Sequence, residues 1–70
     1  MKNQLGKKLK ESRQALGLTQ LELAEKLGCG RSSIGDWESG RTEPSLDMLI
    51  LLANFFGESV DYMLGLQDWH

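Results

Sequence analysis

The sequence is poor in the residues that build disulfides, metal sites and catalytic pairs. Its 70 residues include one cysteine, Cys29, and one histidine, His70. A single cysteine excludes an internal disulfide, and a zinc site, which needs about four Cys, His or carboxylate ligands, is not expected. A Ser-His or Cys-His catalytic pair would have to use the terminal His70. We therefore expect no enzyme activity, no metal and no cofactor.

Long apolar segments are also missing. The longest apolar run, residues 48–53, is far shorter than the roughly 20 residues that a membrane span needs. No apolar stretch follows residues 1–4, so we predict that there is no signal peptide and that the protein is cytoplasmic. A chain of 70 residues forms one domain with a small core and little room for a deep pocket. No small-molecule substrate is expected.

Charge is distributed unevenly along the chain. The net charge is −2, yet residues 1–41 hold all eight basic residues and five acids, a net charge of +3. Residues 42–70 hold five acids and no base, a net charge of −5. Such a chain can present a basic face to a polyanion despite its acidic total, although ordinary scatter of surface charge gives the same distribution.

Glycines and capping residues divide the sequence into short helices. The apolar spacing and caps predict helices over residues 3 to about 16, 20–27, about 31–38, 46 to about 56 and 60–64. Thr19, followed three residues later by Glu22, has the spacing of a capping box. Asn3, Ser45 and Ser59 are the predicted caps of the first, fourth and fifth helices. No alternating apolar pattern predicts a strand. The predicted fold is all-α: a compact five-helix domain over residues 1–66, with a tail over residues 67–70.

Apolar spacing also predicts which helix faces are buried. In the first helix the residues on one face are Leu5, Leu9 and Leu16. In the fourth helix the stripe expected to face the core is Leu46, Leu49, Ala53 and Phe56, and a second stripe is Met48, Leu51, Leu52 and Phe55. A helix that is apolar on two sides must be covered on two sides. We predict a homodimer interface at Leu51, Phe55 and Met63; the alternative is a tail that folds back and leaves a monomer.

The second and third helices, with the turn 28–30 between them, have the form of a helix-turn-helix. Ala24 is small enough for the third helix to approach the second, and Gly28 can adopt the left-handed conformation that the turn requires. Ile34 and Trp37 anchor the inner face of the third helix. The residues on its outer face are small or form hydrogen bonds: Arg31, Ser32, Ser33, Gly35 and Asp36. A face without bulky apolar side chains can lie in the major groove of DNA.

The chain resembles the Cro and phage-repressor helix-turn-helix family, also called Xre-type, from Leu5 to Leu66. The segments that carry the resemblance are Gly17-Leu18-Thr19-Gln20, Leu23-Ala24, Ile34 through Trp37-Glu38-Ser39-Gly40, Pro44-Ser45 and Ser59-Val60-Asp61-Tyr62-Met63-Leu64-Gly65. The resemblance implies a lambda-repressor-like DNA-binding domain that acts as a dimer on a pseudo-palindromic operator.

The resemblance also implies roles for individual residues. Gln20 matches a residue that contacts a phosphate and supports a recognition side chain. Arg13 and Glu38 match a pair that forms an internal salt bridge. Arg31, Ser32 and Asp36 match base-reading positions, and Arg41 and Thr42 match a loop that approaches the DNA backbone. With Ser33, whose hydroxyl can donate to a base or a phosphate, the predicted DNA-contacting residues are Gln20, Arg31, Ser32, Ser33, Asp36, Arg41 and Thr42.

Chemistry supports the role of Arg31 and leaves that of Asp36 open. Arg31 could read guanine through its O6 and N7 atoms, and Asp36 could accept from cytosine N4 or face solvent and suppress nonspecific binding. Gly30 replaces the Ser or Thr that often caps this helix in the family. We predict a sequence-specific, double-stranded-DNA-binding transcriptional regulator, a repressor of bacterial or phage type. The alternative is a protein-interaction module, such as an antitoxin or antirepressor target, that binds DNA only weakly.

Overall fold

The computed structural model describes residues 4–66, and every regular element in that range is an α-helix. The helices are α1 (Leu5–Ala15), α2 (Gln20–Leu27), α3 (Arg31–Ser39), α4 (Leu46–Phe56) and α5 (Val60–Leu64). The predicted all-α, five-helix fold is confirmed. Asn3, expected to cap α1, and the tail 67–70 lie outside the described residues.

Side-chain caps begin three of the helices as the sequence predicts. At α2 the capping box is complete: the Thr19 hydroxyl accepts from the backbone N–H of Glu22 at 3.0 Å, and the Glu22 carboxylate accepts from the backbone N–H of Thr19 at 2.8 Å. The Ser45 and Ser59 hydroxyls accept from the third N–H of α4 and α5. These bonds satisfy N–H groups that have no partner within a helix.

All five helices contribute to one apolar core. The buried apolar residues are Leu5, Leu9, Leu23, Ala24, Leu27, Ile34, Trp37, Leu49, Leu52, Ala53 and Met63. The largest fully buried side chains are those of Leu9, Leu23, Ile34, Leu52 and Met63. The core therefore fixes α3 from beneath through Ile34 and Trp37, which leaves its opposite face available.

Two residues expected in the core are exposed. Leu16, the residue that follows the last turn of α1, is 55% exposed. Leu46, the first residue of α4, is 71% exposed. The two apolar stripes predicted for α4 are also not separate, since its core face combines Leu49, Leu52 and Ala53.

Candidate nucleic-acid interface

The turn between α2 and α3 holds the two helices together. Gly28 has φ +73°, a left-handed conformation that strains any residue with a β-carbon. The next backbone N–H, that of Cys29, donates to the carbonyl of Ala24 at 3.0 Å. The Cys29 side chain packs against the core, and burial raises the pKa of its thiol. A raised thiol pKa favours the neutral, unreactive form, in agreement with a packing role.

The outer face of α3 is polar and accessible. Arg31 and Ser32 at its N-terminal end are exposed, and Ser33, Gly35 and Asp36 are half-buried. Gly30 caps the helix without a side-chain hydrogen bond. A helix N-terminus of this kind presents backbone N–H groups and a positive partial charge, both suited to a phosphate.

A buried ion pair connects α1 to α3 behind this face. The Arg13 Nε donates to Glu38 Oε2 at 2.6 Å, and its second terminal nitrogen donates to Glu38 Oε1 at 3.1 Å. The remaining terminal nitrogen donates to the carbonyl of Leu18 at 2.7 Å. The two charged side chains are only 10% and 5% exposed. The hydrogen bond and charge of Glu38 raise the pKa of Arg13, against the opposing effect of burial. The structure thus contains the ion pair that the family resemblance implies.

Gln20 joins this pair from the start of α2. Its Nε2 donates to Glu38 Oε1 at 3.1 Å. Its carboxamide lies over Gly35, since a β-carbon built at that glycine would be 3.7 Å from Gln20 Oε1 and 3.8 Å from Gln20 Nε2. The hydrogen bond between Gln20 and Glu38 is not predicted by the sequence. The signals for it were the bare glycine in α3 and the amide at the start of α2, but nothing in the sequence gives the distance between them.

The loop after α3 is held against the C-terminal end of that helix by backbone hydrogen bonds. The backbone N–H groups of Arg41 and Thr42 donate to the carbonyl of Asp36 at 2.9 and 3.3 Å. Both side chains are exposed. The residues predicted to contact DNA therefore lie on three separate parts of the chain: the first residue of α2, the outer face of α3 and the loop that follows α3.

One residue predicted for the dimer interface is in the wrong place. Met63 is fully buried because α5 turns it into the core, so it cannot line an interface surface. Leu51 and Phe55 are exposed on α4, together with Leu46 and Ile50. The Phe55 ring contacts the Phe56 ring edge to face, with 5.2 Å between centroids.

Two features are absent from the described residues, a metal-binding cluster and a membrane-spanning helix. Among residues 4–66 no group of three or more His, Cys, Asp or Glu side chains is arranged to hold a metal ion. Within the same range no helix has the length and apolar character needed to cross a membrane.

Known proteins similar to this chain are helix-turn-helix transcriptional regulators. A helix-turn-helix family profile matches residues 9–63. The transcriptional regulator ImmR of Bacillus subtilis is 46% identical over 61 residues, and the immunity repressor protein of Bacillus phage phi105 is 38% identical over 61 residues. Each match covers 87% of this chain but only 48% and 42% of the respective relative. The chain thus spans about half the length of these curated relatives.

A solved structure has the same fold. The crystal structure of a transcriptional regulator from Listeria innocua superposes with a TM-score of 0.85 at 29% sequence identity. The superposition covers 93% of this chain and 61% of that chain.

Proposed function

Because the chain belongs to the helix-turn-helix family of the Cro and phage-repressor (Xre) type, we propose that it binds double-stranded DNA sequence-specifically and represses transcription. The observation that carries the proposal is the outer face of α3. This face has no bulky apolar side chain, and the exposed Arg31 lies at its N-terminal end. Repression follows if the bound site overlaps a promoter, and the similarity to a phage immunity repressor supports that direction of control.

In the proposed complex α3 lies in the major groove. Arg31 and Ser32, at the N-terminal end of α3, reach base edges first, as in other helix-turn-helix proteins. Asp36 lies one turn farther along and accepts from an exocyclic amine such as cytosine N4. Ser33, Arg41 and Thr42 contact the DNA backbone, together with the N–H groups at the start of α3.

The bound form is proposed to be a homodimer. The exposed Leu51 and Phe55 of α4 supply the apolar surface for it. Two copies related by two-fold symmetry would place their α3 helices about 34 Å apart, one turn of DNA. The matching operator is then pseudo-palindromic.

Selection from random DNA tests the function directly. The purified chain is used to enrich binders from a pool of random duplexes, and binding is then measured across a salt series. We expect a two-fold-symmetric site whose affinity falls steeply as salt rises, because phosphate contacts release counterions. No enrichment and no salt dependence would contradict the proposal and favour a protein partner for the apolar α4 surface.

Arg31→Ala separates base reading from backbone contact. Loss of a bidentate guanine contact costs about 1–3 kcal/mol of discrimination. The variant should therefore bind the enriched site much more weakly while its affinity for mixed-sequence DNA changes little. Equal losses on both duplexes would make Arg31 a phosphate contact.

A further inference from the structure

We propose that Glu38 is a positioning residue for DNA binding: it holds the Gln20 carboxamide so that one N–H of this amide faces a phosphate of the DNA backbone. The inference rests on the proposed DNA-binding function and on the phosphate contact that the family resemblance implies for Gln20. It goes beyond both, because it gives the internal ion pair of Arg13 and Glu38 a role in DNA affinity as well as in the fold.

The first argument is the position of the Gln20 carboxamide beside the outer face of α3. Its Oε1, Nε2 and Cδ atoms would lie 3.7, 3.8 and 4.0 Å from a β-carbon built at Gly35. Gly35 follows the exposed Arg31 by four residues, so the two lie on one face of α3. When the recognition helix occupies the major groove, the first helix of the motif crosses the DNA backbone. Gln20, the first residue of α2, therefore lies where a phosphate is expected.

The second argument is the fixed orientation of the amide. Gln20 Nε2 lies 3.1 Å from Glu38 Oε1. A carboxylate can only accept hydrogen bonds, so the amide must turn its nitrogen toward Glu38 and not its oxygen. Glu38 is itself held, because Arg13 donates to both of its oxygens, at 2.6 and 3.1 Å. The carboxamide is thus ordered before DNA binds, which reduces the entropy cost of a contact.

The third argument is the chemistry that the oriented amide offers. The bond to Glu38 uses one of the two N–H groups of Gln20 and leaves the other for a ligand. Phosphate oxygens accept hydrogen bonds and can take this N–H. With the amide turned over, the Gln20 oxygen would face them instead, and two acceptors would oppose each other. The charge of Glu38 does not prevent a phosphate from approaching, because the Arg13 guanidinium neutralises it.

The test measures binding of Gln20→Ala and Glu38→Gln to the enriched duplex and to mixed-sequence DNA. Gln20→Ala should weaken both about tenfold, the loss expected of one hydrogen bond to a charged group. The salt dependence should stay the same, because Gln20 carries no charge and releases no counterion. Glu38→Gln keeps the size of the side chain but adds donors, so the nitrogen of Gln20 is no longer required to face it. This variant should also weaken both duplexes equally, by no more than Gln20→Ala does.

A double variant shows whether Glu38 acts through Gln20. If it does, Glu38→Gln weakens DNA binding in the original chain but not in the Gln20→Ala background. Ser12→Ala is the matched control, because it removes another hydrogen bond to a glutamate, the 3.0 Å bond from Ser12 Oγ to Glu58 Oε1. It should lower the melting temperature and leave DNA affinity unchanged. All binding is measured well below the melting temperature of each variant, so that loss of fold does not count as loss of contact.

Hydrogen exchange of the side-chain amides tests the positioning without DNA. In the isotope-labelled, unmodified chain the Gln20 side-chain N–H protons should exchange with water more slowly than those of Gln14, which is exposed. In Glu38→Gln the two rates should become similar. The comparison within the unmodified chain tests the inference even if Glu38→Gln does not fold. Equal rates for Gln20 and Gln14 in that chain would mean that Glu38 does not hold the amide, and the inference would be overturned.

The outcomes separate this inference from the proposed function. If the unmodified chain binds no duplex, the proposed function is wrong, and this inference fails with it. If the chain binds DNA but Gln20→Ala binds equally well, Gln20 makes no contact and the inference alone is overturned. If Glu38→Gln lowers the melting temperature without weakening DNA binding, or if its loss is the same in the Gln20→Ala background, Glu38 supports the fold only and does not position Gln20.

Discussion

Gly6 of α1 packs directly against the backbone of Glu38 in α3. A β-carbon at Gly6 would lie 2.5 Å from the carbonyl oxygen of Glu38 and 2.7 Å from that of Trp37. Real β-carbons do not approach a carbonyl oxygen so closely, and a backbone atom cannot swing aside as a side chain can. The two helices therefore meet backbone to backbone beside the residue that pairs with Arg13.

We predict that Gly6→Ala destabilises the fold. Alanine is normally better than glycine inside a helix by about 1 kcal/mol. Here the added methyl must push α1 away from α3, and overpacking of this kind costs about 1–3 kcal/mol. The expected result is a lower midpoint of urea unfolding.

Gly35→Ala is the matched control for this prediction. The nearest atom to a β-carbon at Gly35 is 3.7 Å away, an ordinary contact distance, and it belongs to the Gln20 side chain. With no clash, the helix preference should dominate, and the protein should gain about 0.5–1 kcal/mol of stability. An equal gain from Gly6→Ala would show that α1 and α3 are not in close contact at Gly6.

We predict a large loss of stability for Glu38→Ala. The substitution leaves the Arg13 guanidinium, 10% exposed, without its charged partner. Removing one member of a buried ion pair typically costs about 3–5 kcal/mol, much of it from the charge left unpaired. Adding Arg13→Ala to Glu38→Ala should therefore recover part of the loss. Thermal unfolding measures both effects, and an unchanged melting temperature for Glu38→Ala would contradict the burial of the pair.

The sequence predicted features that depend on neighbouring residues and missed those that depend on distance. The capping box of Thr19 and the left-handed Gly28 are local, since each is set by residues within one helical turn. The backbone contact of Gly6 depends on how two helices cross, and Gly6 carries no apolar signal that reveals it. Met63 was placed on a surface because apolar spacing identifies an apolar face but does not tell which neighbour covers it.

The candidate site likewise contains features that the sequence predicts and one that depends on the fold. The positions of Arg31, Ser32 and Asp36 followed from the helix-turn-helix pattern, because spacing on one helix fixes a face. The bond between Gln20 and Glu38 joins residues 18 positions apart on different helices. Only the folded arrangement brings them within hydrogen-bond distance.

We predict that stability falls in acid partly through Glu22. Two hydrogen bonds with Thr19 hold the pKa of the Glu22 carboxyl below its usual value of 4.5. The bond to the Thr19 backbone has the larger effect, and the bond to the Thr19 side chain has the smaller one. The folded pKa therefore lies below the unfolded one. The contribution is complete above the unfolded pKa and is lost as the pH falls through the folded pKa. Glu22→Gln removes this carboxyl, so the free energy of unfolding should fall less between neutral and acidic pH. A curve parallel to that of the original chain would contradict the role of Glu22.

The last prediction concerns the dimer. Leu51 is 44% exposed on α4, so Leu51→Glu should leave the fold intact while placing a charge in the proposed interface. An unpaired charge cannot be buried between two copies without a large desolvation cost. We expect sedimentation to show a dimer for the original chain and a monomer for Leu51→Glu.

Leu21→Glu distinguishes loss of an interface from a general effect of added charge. Leu21 is as exposed as Leu51, at 51%, but it lies in the first turn of α2. A carboxylate near a helix N-terminus is favourable, so the variant should fold well. Both substitutions change the net charge by the same amount, yet only Leu51→Glu should change the mass of the particle. If neither variant changes the mass of a dimeric original chain, the dimer uses a different surface; if both do, repulsion between the acidic chains is the cause, and α4 is not specifically the interface.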